Sequence, residues 1–130
     1  MARKPSQTLT DGELRLMRVL WDRGEATVGD VVDGLKGRTK PAYNTVLTLL
    51  RVMERKGYVQ HRKEGRSFTF TPLIDERQVR ERLLGHVLPL FFNNSPFLLL
   101  LNVLGRGELE PEERERIRQL LDEPKAPVTN

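Results

Sequence analysis

The chain has 130 residues, a formal net charge of +4 and no cysteine, and this length allows one hydrophobic core or a small domain with an extension. The lack of cysteine excludes disulfides, thiolate metal sites and cysteine nucleophiles, and it suits a reducing cytoplasm. The longest apolar stretch, residues 96–101, is too short to span a bilayer and no signal-peptide run is present, so we expect a soluble, cytoplasmic protein.

Positive charge is concentrated in the first half of the chain. Residues 1–72 hold 14 basic and 8 acidic side chains, whereas residues 73–130 hold 8 basic and 10 acidic ones. Between residues 36 and 66 there are nine Lys or Arg and two Glu. Because net charge indicates the kind of partner rather than the fold, we expect residues 1–72 to bind a polyanion and the remainder to have another purpose.

The first two predicted helices each begin at a threonine. Thr10 with Glu13 predicts a capping box and a helix over residues 10–23, which Gly24 ends in a left-handed cap. Thr27 with Asp30 predicts a second, short helix that Gly37 ends. The residues expected to face the core are Leu14, Met17, Val19, Leu20 and Trp21 in the first helix and Val28, Val31, Val32 and Leu35 in the second.

The third predicted helix has Pro41 in its first turn and stops at Gly57. At 100° per residue one face is apolar and the opposite face is polar. Asn can pair with adenine, Arg with guanine, and Thr can hydrogen-bond or touch a thymine methyl, so the polar face suits a DNA major groove. The apolar face holds Ala42, Val46, Leu49, Leu50 and Met53, and the polar face holds Asn44, Thr48, Arg51 and Arg55.

A basic hairpin follows the third helix. Residues 58–63 and 67–71 are predicted to form two strands around a turn at residues 64–66. Side chains alternate between the two faces of a strand, so Phe68 and Phe70 lie on one face. Arg62, Lys63 and Arg66 crowd the tip, where they can reach phosphates or a minor groove. A helix followed by a cationic hairpin is typical of a winged helix-turn-helix DNA binder. We therefore predict a mainly α fold with a small β wing, the DNA-binding domain occupying residues 9–73.

The remaining pattern predicts three more helices, which start near Asp75, at Ser95 with Pro96, and at Glu110. Pro89 is expected to kink or end the first of them. The helix from residue 96 is apolar nearly all round and has too few neighbours to cover it, whereas a second copy of the chain would cover it. We therefore expect a helical dimerisation domain at residues 74–123. A flexible arm (1–8) precedes the DNA-binding domain, and a flexible tail (124–130) follows the dimerisation domain. The two-fold symmetry of the dimer suits an inverted-repeat operator. The predicted dimer interface comprises Val87, Phe91, Leu98, Leu99, Leu101, Leu104, Ile117, Leu120 and Leu121.

Three blocks, at residues 9–21, 42–59 and 65–72, resemble the BlaI/MecI/CopY family of penicillinase and methicillin-resistance repressors. The resemblance spans about residues 9–122. It implies a winged helix that reads an operator, C-terminal helices that entwine as a homodimer, and derepression when a membrane sensor-protease cleaves the dimerisation region. The residues expected to contact DNA are Lys40, Tyr43, Asn44, Thr45, Thr48 and Arg51 around the recognition helix, and Arg62, Lys63 and Arg66 on the wing.

The chain departs from the family pattern at two places. Asn44 stands where the family often has Thr, which leaves the base preferred at that point open. The cleaved Asn-Phe step of the family aligns with Asn102 and Val103, and the missing Phe counts against proteolytic induction; an interface Asn that fixes helix register explains Asn102 equally well. The lack of cysteine also argues against copper sensing through the cysteine ligands of the copper-responsive branch.

Several alternatives stay open. Tyr43 suits either packing or a phosphate contact from its hydroxyl. His61 and His86 have no second ligand at metal spacing, so we expect no metal and no cofactor. The sequence contains no catalytic motif, so we expect that the protein is not an enzyme. The competing functions are a winged-helix protein-docking module without sequence-specific DNA binding, and a DNA-binding regulator released by a small ligand.

Overall fold

Two capping boxes begin the first two helices, as the sequence predicts. The computed structural model describes residues 8–35, 37 and 39–123, so the predicted arm, apart from residue 8, and the predicted tail lie outside the described residues. In helix α1 (Asp11–Arg23) the Thr10 hydroxyl accepts from the Glu13 amide (3.2 Å) and the Glu13 carboxylate from the Thr10 amide (2.8 Å). Thr27 and Asp30 make the same pair of bonds before α2 (Val28–Gly34). Gly24 caps α1 at φ +83°.

The predicted end of α2 and the predicted start of the third helix were wrong. Helix α2 ends at Gly34 rather than Gly37, because the backbone of Leu35 becomes extended and its side chain enters the core with 6 % exposure. Helix α3 spans Tyr43–Arg55, so Pro41 lies before it. Ala42 is extended and is the N-cap, and its carbonyl accepts the first helical bond, from the Val46 amide (3.1 Å).

The hairpin is part of a three-stranded antiparallel sheet. The strands are β1 (Ala26–Thr27), β2 (Val59–Glu64) and β3 (Ser67–Pro72), in the order β1-β3-β2. Ala26 and His61 both pair with Phe70, from opposite sides of β3. The two-residue β1 was missed from the sequence because it is too short for alternation to show.

The core joins α1, α2, α3 and the sheet. Val46, Leu50 and Met53 are fully buried, which confirms most of the inner face of α3. Ala42 was wrongly assigned to that face, because it is the exposed N-cap, and Leu49 is half-buried. In α1 the predicted stripe was partly wrong: Leu14, Val19 and Trp21 are only half-buried. The buried positions follow the i, i+3, i+4, i+7 spacing of one helix face. They are Glu13, Leu16, Met17 and Leu20.

A buried ion pair ties the start of α1 to the end of α3. The Lys56 ammonium lies 2.7 Å from the Glu13 carboxylate, and the two side chains are 8 % and 2 % exposed. Lys56 also donates to the carbonyl of Thr8 (3.1 Å). The same Glu13 oxygen accepts the Thr10 amide in the capping box, so this carboxylate serves both the helix cap and the buried cation.

Three helices follow the sheet: α4 (Glu76–Phe91), α5 (Pro96–Gly105) and α6 (Pro111–Asp122). Pro89 does not end α4, because helical bonding resumes after it with the Phe92 amide donating to the Leu88 carbonyl (3.0 Å). The predicted cap of α5 is confirmed, since the Ser95 hydroxyl accepts from the Leu98 amide (3.1 Å).

The chain divides into two compact units between His86 and Val87. Within residues 76–122, all of which the structure describes, no helix residue is buried. The fifth helix is therefore not covered within one chain, in agreement with the prediction that its neighbours are too few. Along the described part of the chain, no single helix is long and apolar enough to cross a membrane; α4 and α5 reach that length and composition only together, and the chain bends sharply between them.

Candidate nucleic-acid interface

The outward face of α3 is polar throughout. Asn44, Thr48 and Arg51 are exposed, as predicted, and so is Thr45. The Thr48 hydroxyl donates to the carbonyl of Asn44 (2.9 Å). Because its proton is used inside the helix, Thr48 is left with acceptor lone pairs and a methyl group for an external partner. That chemistry suits a base amino group or a thymine methyl.

Two other predicted contact residues flank this face. Tyr43, the first residue of α3, keeps 48 % of its surface exposed and lies outside the core cluster, which favours an external contact over packing. Lys40 is exposed, and its ammonium approaches the Asp33 carbonyl at 3.4 Å. A bond of that length is weak, so the Lys40 charge is available to a phosphate.

Cations from α3 and from the wing meet at one aromatic ring. The guanidinium of Arg51 and the ammonium of Lys63 each lie 5.9 Å from the centre of the Phe68 ring. This is cation–π distance. Helix α3 and the hairpin therefore carry positive charge beside the same ring. Arg66 is exposed after the turn at Gly65 and adds a cation three residues after Lys63.

Arg62 differs from the other wing cations because it is already paired. Its guanidinium makes two bonds to Glu25, at 2.8 and 3.0 Å, and its Nε–H donates to Glu64. The hydrogen bonds from Arg62 hold the pKa of Glu25 below its usual range, and those to Glu25 and Glu64 raise the pKa of Arg62. A guanidinium has five N–H donors, so Arg62 keeps some of them for a phosphate. We expect Arg62 to contribute less than Lys63 to DNA affinity.

Acidic partners within the basic surface were missed from the sequence. Glu25 pairs with Arg62, and Glu54 bonds to His61 at 2.8 Å. Glu25 and Arg62 are 37 residues apart, and no local pattern brings them together. Among residues 8–35, 37 and 39–123, no group of three or more His, Asp or Glu side chains is placed to hold a metal ion.

A comparison with protein families decides the identity of the chain. The penicillinase repressor model matches residues 9–123. The chain belongs to the penicillinase repressor family. The winged helix-turn-helix fold predicted from the sequence agrees with this assignment, and both the BlaI/MecI/CopY resemblance and its extent over about residues 9–122 are confirmed.

Individual relatives in this family are similar over most of their length. The penicillinase repressor of Bacillus licheniformis is 32% identical over 117 residues, which cover 90% of this chain and 91% of the relative. The methicillin resistance regulatory protein MecI of Mammaliicoccus sciuri is 18% identical over 114 residues, 88% of this chain and 93% of the relative. The solution structure of monomeric Bacillus licheniformis BlaI with the blaP half-operator is 34% identical, covers 58% of this chain and 90% of that one, and gives a TM-score of 0.45.

Proposed function

We propose that this protein is a dimeric transcriptional repressor that binds an inverted-repeat operator through its winged helices. The observation that carries the proposal is the convergence of Arg51 and Lys63 on Phe68, in a member of a family whose relatives are repressors. Such a protein acts on DNA in the cytoplasm and needs no catalytic group, because a bound repressor occludes the polymerase.

The polar face of α3 is the proposed reading surface. Inserted into a major groove, it brings Asn44, Thr48 and Arg51 to base edges. Tyr43 and Thr45 lie on the first turn of the same helix and, with Lys40, suit the phosphate backbone. Lys63 and Arg66 on the hairpin reach the neighbouring phosphates, and Arg62 assists with the donors that Glu25 and Glu64 leave.

The helices after residue 86 are the proposed dimerisation surface. Phe91 is 74%, Leu101 48%, Leu104 51% and Leu121 71% exposed in one chain. Soluble proteins rarely leave large apolar areas uncovered, and a second copy would cover these side chains while supplying the second reading helix for a palindrome. The other proposed interface residues, Val87, Leu98, Leu99, Ile117 and Leu120, are half-buried within one chain.

Release from DNA has two candidate mechanisms. A cut by a membrane sensor-protease between Asn102 and Val103 would divide α5 and so separate the two protomers. The bond lies within that helix, where the Asn102 side chain donates to the Leu98 carbonyl (2.9 Å), so α5 must open locally before a protease can bind it. Val103 in place of the family's Phe favours the second candidate, in which a ligand at the dimer interface releases the intact protein.

Salt dependence tests the proposal against a protein-docking function. We expect the logarithm of the DNA-association constant to fall linearly with the logarithm of salt concentration, by about 0.9 per phosphate contact. Six to ten contacts from a dimer would weaken binding roughly 10³-fold or more between 50 and 200 mM salt. Fluorescence anisotropy with a labelled duplex measures this dependence.

The matched control is Arg118→Ala, which removes one exposed positive charge from α6 and should leave the salt slope unchanged, whereas Arg66→Ala should reduce it. A chain that binds DNA with no salt dependence, or binds none, would contradict the proposed function and favour the docking module.

A further inference from the structure

One carboxylate connects the recognition helix to the wing. Glu54, on α3, accepts the backbone amide of His61, on β2, at 3.0 Å. The His61 Nδ1 lies 2.8 Å from each oxygen of the same carboxylate. The side chains of His61 and Glu54 are 38% and 31% exposed, so the pair lies at the edge of the surface that carries the DNA-binding cations.

The His61 ring is also held on its other sides by the two aromatic residues of β3. Its centre is 5.5 Å from that of Phe68, edge to face, and 5.4 Å from that of Phe70. Phe68 is the ring over which Arg51 and Lys63 lie. Glu54, His61, Arg51 and Phe68 all line one crevice of about 280 Å³ between α3 and the hairpin. The two cations that we propose to contact DNA thus lie over a ring that packs against His61, the residue that Glu54 binds.

A glutamate in this place opposes DNA binding when it is considered alone. Its charge lies near Arg51 and Arg55, which line the same crevice, and it repels the phosphates that we expect at those cations. The bonds to His61 give the carboxylate a structural purpose that offsets the repulsion, because they join the two elements that must fit the same stretch of duplex.

We propose that Glu54 and His61 are positioning residues that clamp the wing against α3, so that Arg51 and Lys63 meet the DNA in a fixed relation. This inference rests on the proposed function. The clamp consists of the bonds that one carboxylate accepts from the backbone amide of His61 and makes with its ring, so the loss of either side chain should loosen the wing.

The test is a double-mutant cycle on DNA affinity, at constant pH and ionic strength, for the full chain on the duplex that the wild type prefers. Glu54→Gln removes the carboxylate, and His61→Phe keeps an aromatic ring without the ring bond. We expect the effects of the two changes on affinity to depart from additivity by about fivefold, because the second change has no bond left to break. Glu54→Gln combined with His86→Gln, at the other of the chain's two histidines, should give additive effects.

The departure from additivity is the informative quantity, because Glu54→Gln also removes a repulsive charge and so changes the absolute affinity. Additive effects of Glu54→Gln and His61→Phe would show that the two residues act independently, and they would overturn the clamp while leaving the proposed function intact. If the wild type preferred no duplex at all, the proposed function itself would fail before any variant was compared.

Discussion

Replacing Lys56 with methionine should lower the free energy of unfolding by about 3 kcal/mol, the usual cost of leaving one member of a buried ion pair without its partner. The Glu13 carboxylate, 2% exposed, would lose the ammonium that lies 2.7 Å away. The bond from the Thr10 amide alone cannot replace that charge. Urea denaturation followed by circular dichroism measures the change.

The neighbouring residue supplies the control. Arg55→Met changes an exposed cation on the same turn of α3 and should alter the free energy of unfolding by less than about 0.5 kcal/mol. The double variant Glu13→Gln with Lys56→Met should recover much of the loss, because the amide still accepts the Thr10 N–H and carries no charge. A Lys56→Met protein as stable as the Arg55→Met protein would contradict the view that this pair is buried and coupled.

Removing the guanidinium of Arg51 should weaken binding to the preferred operator about 10- to 100-fold, which corresponds to one base or phosphate contact at a protein–DNA interface. If Arg51 contacts a guanine, affinity for unrelated DNA should change little and sequence preference should relax at one position. If it contacts a phosphate, affinity for all sequences should fall together and the salt slope should decrease by about 1. Titration of Arg51→Ala against the operator and an unrelated duplex separates these results.

Arg106→Ala is the matched control, because this arginine is exposed and lies after α5, where it pairs with Glu108 at 2.7 Å. It should bind the operator as the wild type does. Equal affinity of the Arg51→Ala and wild-type proteins would remove α3 from the reading surface and leave only the wing as a candidate.

Local signals predicted most of the fold from the sequence. Each capping box needs two side chains three residues apart, so Thr10 with Glu13 and Thr27 with Asp30 were recognisable without the structure. The polar and apolar faces of α3 follow from helical periodicity, and the hairpin follows from alternation around Gly65. These features depend on neighbours within one or two turns of chain.

Distant pairing could not be predicted in the same way. Glu13 and Lys56 are 43 residues apart, and Glu25 and Arg62 are 37; in the sequence nothing marks one member of a pair as the partner of the other. Glu54 and His61 are only seven apart, yet they belong to different elements whose packing decides the contact. Thus the cations of the proposed interface were predicted from the sequence, while their acidic neighbours were not.

Two copies of the chain, joined through α4 to α6, are proposed to place two reading helices on one DNA duplex. Selection of bound duplexes from a random library is the experiment that decides whether they do. The proposal predicts an enriched inverted repeat whose half-sites are about one helical turn or a multiple of it apart, and only single half-sites for a Leu101→Asp variant that puts a charge in the apolar interface. Enrichment of a single half-site by the wild type, or of no sequence, would contradict it.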